Sequence, residues 1–153
     1  MSPVQTSYSE RMAPPGPGTL SGTTNDSVTG LCETEAGIPF GRATSQGTLS
    51  DKGVIIGGAL ATFRGPSIRD VTLGAETDTY MPPNNVGILK TGEIWLEPSE
   101  AILANDPVHF SATTGVFAKS GGVGPVKGAR WVTSCGIGGR AIAYFAGYDR
   151  NAT

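Results

Sequence analysis

From Asp26 onward the chain alternates between short apolar stretches and clusters of Gly, Pro, Asn and Ser. "SVTGLCET" and "IPFGRATS" predict two strands separated by the turn-like "EAG". "GVIIGGALATF" follows, and its glycines predict a bulge or a close backbone approach in place of an ordinary strand. In "SIRDVTL", Ile68, Val71 and Leu73 alternate with one slip, which predicts a bulge near Arg69 and Asp70. "TDTYMPPNN" is a loop by composition. "VGILKTGEIWLEP" predicts a hairpin: Ile88 and Leu89 precede "KTG", and Gly92 offers a left-handed turn position. Ile94 and Leu96 then alternate with Glu93, Trp95 and Glu97 until Pro98 ends the strand. "SEAILAND" suffices for one helical turn with Ser99 as N-cap, too short to stand without packing.

The next ribbon carries the chain's one histidine. Val108 and Phe110 alternate with His109 and Ser111, "TTG" intervenes, and Val116 and Ala118 resume the alternation around Phe117. Asp106, His109 and Ser111 together have the residue types of a nucleophilic triad. A triad needs serine within hydrogen-bond reach of a histidine that a carboxylate orients. On a strand, His109 and Ser111 share a face but stand about 7 Å apart along it. Asp106, before Pro107, reads as a turn carboxylate. The pattern therefore predicts a hairpin with a wet face. A Gly-rich loop, "SGGVGPVKGA", leads to "RWVTSC" and to a last strand in "GRAIAYFAGY".

Together these elements predict an all-β fold. It is a small barrel or sandwich, jelly-roll-like, of short antiparallel strands with at most one short helix. The 23 glycines and 11 prolines among 153 residues exclude long helices. Residues 1–24 differ: "MSPVQTSYSERM" is polar, and "APPGPGTLSG" joins an extended, Pro-fixed backbone to glycines. This is an N-terminal arm on a single β-rich domain of residues 25–153. The arm is either a loose terminus or an extended segment that docks on another surface, with Tyr8, Met12 and Leu20 as anchors.

Composition narrows the partners. With 38% hydrophobic and 16% charged residues, part of the surface is expected to be covered by a partner. The net charge of −2 and singly scattered basic residues give no footprint for nucleic acid or an anionic membrane. No window approaches the roughly 18 apolar residues that span a bilayer. The first residues lack an apolar run with basic flanks, so a soluble cytosolic product is expected. Cys32 and Cys135 are too few for a disulfide scaffold or a structural zinc site and are expected as reduced, partly buried thiols.

No other chemistry gathers. Glu93 and Glu97 share a strand face around 13 Å apart, beyond the ~5–9.5 Å of paired glycosidase carboxylates. Glu100 is a turn residue like Asp106. "GIGGR" and "GGVG" lack the Lys-Ser/Thr of a phosphate loop. No catalytic residue, cofactor site or metal site is assigned, and no enzyme activity is expected. Trp95 and Trp131 read as core or interface anchors, with ligand stacking as the other use. Phe63–Arg64 and Tyr80–Met81 lie in loop-like stretches and serve either a contact surface or a satellite core.

The order of segments resembles the structural cement (capsid decoration) proteins of tailed bacteriophages. The matching features are "YSERMAPPGPGTLSG", "GIPFGRATSQG", "FRGPSIRDVTL", "DTYMPPNNVGILKTGEIWL", "ANDPVHFSATTGVF" and "GARWVTSCGIGGRAIAYF", which together run over nearly the whole chain. The resemblance implies a virion protein that binds the outside of an icosahedral phage head. It would clamp adjacent major capsid protein subunits and so stabilise the expanded shell. Partners are then the major capsid protein and the chain itself, as a homotrimer or else a dimer. Expected contact residues are Tyr8, Arg11, Met12, Pro14, Pro15, Leu20, Phe63, Arg64, Tyr80 and Trp95. The alternative is a carbohydrate- or receptor-binding β-module on a virion surface, stacking ligands on Trp95, Tyr80 or Trp131.

Overall fold

The computed structural model describes residues 15–49, 51–70, 78–82 and 84–146. Its strands are β1 (Leu20–Cys32), β2 (Ile38–Pro39), β3 (Ala43–Gln46), β4 (Gly53–Ile56), β5 (Phe63–Pro66), β6 (Thr79–Tyr80), β7 (Asn85–Leu96), β8 (His109–Phe110), β9 (Phe117–Ala118), β10 (Ala129–Trp131) and β11 (Ala141–Ala146). Among the described residues the helical content is one 3-10 turn, Leu60–Thr62. Seven strands form one sheet in the order β10-β11-β7-β1-β4-β3-β5, while β2 pairs with β6 and β8 with β9.

The sheet curls into a half-barrel. Its far strand returns toward its middle: Ser67 bridges Ile88, and the Ile68 amide donates to the Gly87 carbonyl at 2.8 Å. Gly65 permits this approach. Its φ of +143° is reserved for glycine, and a Cβ there would overlap the Leu89 carbonyl oxygen. Three buried hydroxyls tie the curl together by donating to backbone carbonyls: Thr44 to Gly65, Ser45 to Gly57 and Ser67 to Pro39. Each thus satisfies a polar group that would otherwise cost about 1–3 kcal/mol to bury.

Strand β7 organises the rest. Ile94 and Leu96 point into a core of Phe63, Phe110, Phe117, Phe145, Trp131 and aliphatic neighbours. Val86 and Ile88 point into a second cluster with Cys32, Ile38, Phe40, Val54 and Tyr80. In the first core Phe117 meets the rings of Phe63, Phe110 and Phe145 at centroid distances of 6.5, 6.3 and 5.7 Å. The buried Trp131 indole satisfies its N–H on the Ala118 carbonyl at 3.2 Å.

The hairpin expected at Lys90–Gly92 is absent: residues 85–96 are one continuous strand. The reason is pairing on both sides. β1 runs opposite residues 85–94 and β11 opposite residues 91–96, so "KTG" stays extended between two partners. Gly92 serves a bulge instead. Between the pairs Ser21↔Glu93 and Asp26↔Thr91, residues 22–25 of β1 face Gly92 alone, and Asn25 packs where a Cβ would stand. The helical turn after Ser99 is absent too. Ile102 bridges Cys135, and that ribbon captures the backbone groups a helix would need. In the β8–β9 hairpin Ala118 is buried as expected, but Phe117 is buried beside it and Val116 is only half-buried. Its larger ring completes the phenylalanine cluster, so burial follows Phe117. The slip expected in "SIRDVTL" is described only through Asp70, since Val71 and Leu73 lie outside the described residues.

The arm's last residues enter the fold. Gly18 donates to the Trp95 carbonyl at 2.8 Å, and Trp95 donates back to Thr19 at 2.9 Å. The Gly18 carbonyl accepts from the Arg69 amide at 2.8 Å, and Thr19 caps Gly16 through its hydroxyl. Leu20–Thr24 lie in β1.

Candidate contact surface

The side chains that suggested a catalytic trio are each engaged in local turns. Asp106 accepts from the Leu103 amide at 2.9 Å. His109 Nδ1 lies 3.0 Å from the Gly121 carbonyl, and Ser111 Oγ accepts from the amides of Thr113 and Thr114. The three are not joined to one another by any of these bonds. Among the described residues no group of three or more His, Cys, Asp and Glu is placed to hold a metal ion, and no helix is long and apolar enough to cross a membrane.

The expected contact residues separate into three groups. Tyr8, Arg11, Met12 and Pro14 lie outside the described residues. Phe63 and Tyr80 are buried: Phe63 stacks on Phe110 at 5.0 Å, and the Tyr80 hydroxyl donates to the Ile68 carbonyl. Burial also pushes the Tyr80 phenol up from its ordinary pKa. Pro15, Arg64 and Trp95 are half-buried, with Arg64 donating to the Asp51 carbonyl at 3.1 Å, and Leu20 is exposed. Of the three aromatics suited to stacking a sugar, Trp131 and Tyr80 are buried, which leaves Trp95.

The large aliphatics left in water gather at two ends of the strands. At the end where β7 finishes with Leu96, Ile137 is 84% and Leu103 65% exposed. Their loops are joined by paired bonds between Ile102 and Cys135, at 2.9 and 3.0 Å. Gly18 and Thr19 are held at this same end by their bonds to Trp95. Beside it opens a cavity of about 330 Å³ lined by Pro17, Phe40, Arg42, Arg69 and Glu97. There Arg69 lies over the Phe40 ring, 5.1 Å from its centroid, and pairs with Asp78 at 3.0 Å.

At the other end, where Leu31 pairs with both Asn85 and Gly53, the β3–β4 loop carries Leu49, 83% exposed. Leu31 and Met81 are also exposed there. The loop is not loose: Glu33 accepts from the Thr48 and Leu49 amides at 2.9 Å each, which fixes the backbone that presents Leu49. Sequence reasoning passed over Leu103, Ile137 and Leu49. For Ile137 and Leu49 the available signal was an aliphatic residue among turn formers, "GIGG" and "GTLSD"; Leu103, beside Ile102 in "EAILAND", carried no such mark.

Both thiols are free. Burial raises the pKa of each: Cys32, donating to the Tyr80 carbonyl, and Cys135, which is half-buried. At the surface, Glu100 is held below its ordinary pKa, first by the Lys119 amide and then by the Ser120 hydroxyl, each 3.0 Å from Oε1.

With this geometry in hand, comparison with known proteins is informative. None of the curated proteins matches the chain. The chain resembles a solved structure of the capsid of Myoviridae phage XM1 at 14% identity and TM-score 0.71, over 94% of this chain and 97% of that one. The N base of head fiber gp8.5 in bacteriophage phi29 is matched at 11% identity and TM-score 0.47, over 80% and 95% of the two chains. The family model described as structural cement protein (E217 gp24/Pam3 gp6) matches residues 4–146. The chain therefore belongs to the phage structural cement protein family, whose members are structural components of the virion.

Proposed function

We propose that this protein binds the outside of the icosahedral phage head after synthesis in the host cytoplasm and bridges adjacent major capsid protein subunits. The observation that carries the reading is the placement of exposed aliphatics at two opposite ends of a stiff sheet: Leu103 and Ile137 at one, Leu49 with Leu31 and Met81 at the other. A brace between two neighbours needs a contact at each end and a body that does not bend. The half-barrel, tied by buried hydroxyl–carbonyl bonds, supplies the body. The segment before Gly18, which is held at the Leu103 and Ile137 end, would add reach there through Tyr8, Arg11, Met12 and Pro14.

The clamp performs no chemistry. Binding only to the expanded shell stabilises that state by the logarithmic mass-action term, about 2.7 kcal/mol per site at one hundred times Kd. Self-association, as a trimer or a dimer, would place several arms on one lattice and raise avidity through effective concentration. The test is a reconstruction of the intact particle by cryo-electron microscopy. Density for this chain is expected on the outer surface, with the Ile137 loop and the Leu49 loop on different capsid subunits. A chain missing from the outer shell, or touching one subunit by one end, refutes the bridge.

A further inference from the structure

The outward face of β10, β11 and β7 departs from the polar pattern that a solvated sheet face carries. Ala141, Ala143 and Phe145 of β11 point into the core, so Ile142 and Tyr144 point out. Ile94 and Leu96 of β7 likewise leave Glu93 and Trp95 on the outer side. On β10 the buried Trp131 leaves Arg130 outside, with its guanidinium 5.3 Å from the centre of the Tyr144 ring. The register sets these residues in two cross-strand rows. One runs Arg130, Tyr144, Glu93, and the other runs Val132, Ile142, Trp95, the Val132 amide donating to the Ile142 carbonyl at 2.7 Å. Tyr, Trp and Arg are the residues that interfaces favour.

Beside this face the outer strand β10 is already bridged by Pro107 through Arg130, so its edge is not free for strand addition.

We propose that this face binds a second copy of the chain about a two-fold axis lying along β11. The proposal rests on the self-association in the functional reading above and gives it a surface. Charge complementarity selects a second copy as the occupant. Arg130 and Glu93 stand one strand to either side of Tyr144, roughly 10 Å apart at the usual strand spacing. Turning a copy over about an axis along β11 exchanges the two flanks. Arg130 of each copy then lies over Glu93 of the other, twice per pair. Trp95 lies over Val132, and Ile142 and Tyr144 meet their own counterparts. The contact is isologous, with aromatic and aliphatic residues at its centre and opposite charges at its rim. Two charges of the same sign on the two flanks of Tyr144 would instead be opposed under the same operation.

Sedimentation of the full chain tests this. The wild-type protein is expected to form dimers that weaken as salt rises. Arg130→Glu and Glu93→Arg, each alone, set like charges opposed at two places and should raise the dimer Kd at least about tenfold. Mixed one to one, the two variants should form a heterodimer, since every Glu then faces an Arg. Tyr144→Ala, which leaves the charges untouched, should also weaken the pair, and circular dichroism checks that each variant is folded. Wild-type protein that stays monomeric overturns self-association altogether. Monomeric protein whose variants nevertheless lose binding to heads would give this face to the capsid. Wild-type oligomers that the single variants leave intact, or variants that do not recombine on mixing, overturn this surface while leaving self-association standing.

Discussion

Serine substitutions at the two ends separate a brace from a simple ligand. Ile137 and Leu49 are more than four-fifths exposed in the free chain, so nearly all of their apolar surface remains to be buried on a partner. Fully burying such a side chain contributes about 1.5–3 kcal/mol. Leu103, two-thirds exposed, offers proportionally less. Replacing Leu103 and Ile137 together should therefore cost about 3 kcal/mol of binding, a factor of roughly one hundred in Kd. Leu49→Ser should cost about 2 kcal/mol, a factor of roughly thirty. Folding stability should move by no more than about 0.5 kcal/mol in either variant, since neither site belongs to a core. The assay titrates each variant onto expanded heads stripped of the protein, then heats the dressed shells. Both variants should need more protein to reach full occupancy. At saturating protein, where sites are again filled, the shells should still break at a lower temperature, because one end of each brace holds weakly. Unchanged titration for one variant removes that end from the contact. Unchanged titration for both refutes the two-ended brace.

Three further outcomes follow from the fold. Phe117→Ala should destabilise the domain by about 3–5 kcal/mol in urea titration, because Phe117 contacts three other phenylalanine rings at full burial; a loss under 1 kcal/mol would mean the cluster is not packed as described. Gly65→Ala should cost about 2–5 kcal/mol, from backbone strain at positive φ and from the clash with the Leu89 carbonyl, and near-wild-type stability would show that β5 does not close on β7. Glu100, whose pKa is lowered in the folded state, contributes stability above its unfolded pKa of about 4.3 and loses it as pH falls through the folded value. The melting temperatures of the wild type and Glu100→Gln should therefore differ at pH 7 and converge in acid; a constant difference would contradict the bonds from Lys119 and Ser120.

The fold class was readable because alternation is a local signal: Val108 and Phe110 turn inward, and Ala141, Ala143 and Phe145 do the same, as their spacing predicts. The hairpin at "KTG" was misread because nothing local distinguishes a turn from an extended segment flanked by partners. Whether Gly92 turns or stays extended depends on β1 and β11, which come from sequence distant by some 50 to 70 positions. The same non-local cause hid the curl, since Gly65 has meaning only once Leu89 lies against it. Contact residues were read from residue type, and type alone does not separate an aromatic that binds from one that packs. Phe63 and Tyr80 went to the cores, whereas Leu49 and Ile137 stood in Gly- and Ser-rich turns where no periodicity marks them.

On the proposed bridging function, the aliphatics left at the two ends follow from what a brace must resist. Pulling two capsid subunits apart loads the contact at each end in series, so the weaker end sets the limit. A stiffer body between the ends adds nothing once it outlasts that contact. The sequence spends its apolar residues accordingly: two compact clusters inside, joined through β7, and single aliphatics on loops held by specific bonds, Glu33 under Leu49 and the Ile102–Cys135 pair under Leu103 and Ile137. Holding those loops rigid lowers the ordering cost on binding, which otherwise runs to about 0.5–1.5 kcal/mol for each side chain immobilised. Pairing two copies through β11, as proposed, would couple four ends. One released end stays near its site, and rebinding precedes loss of the brace.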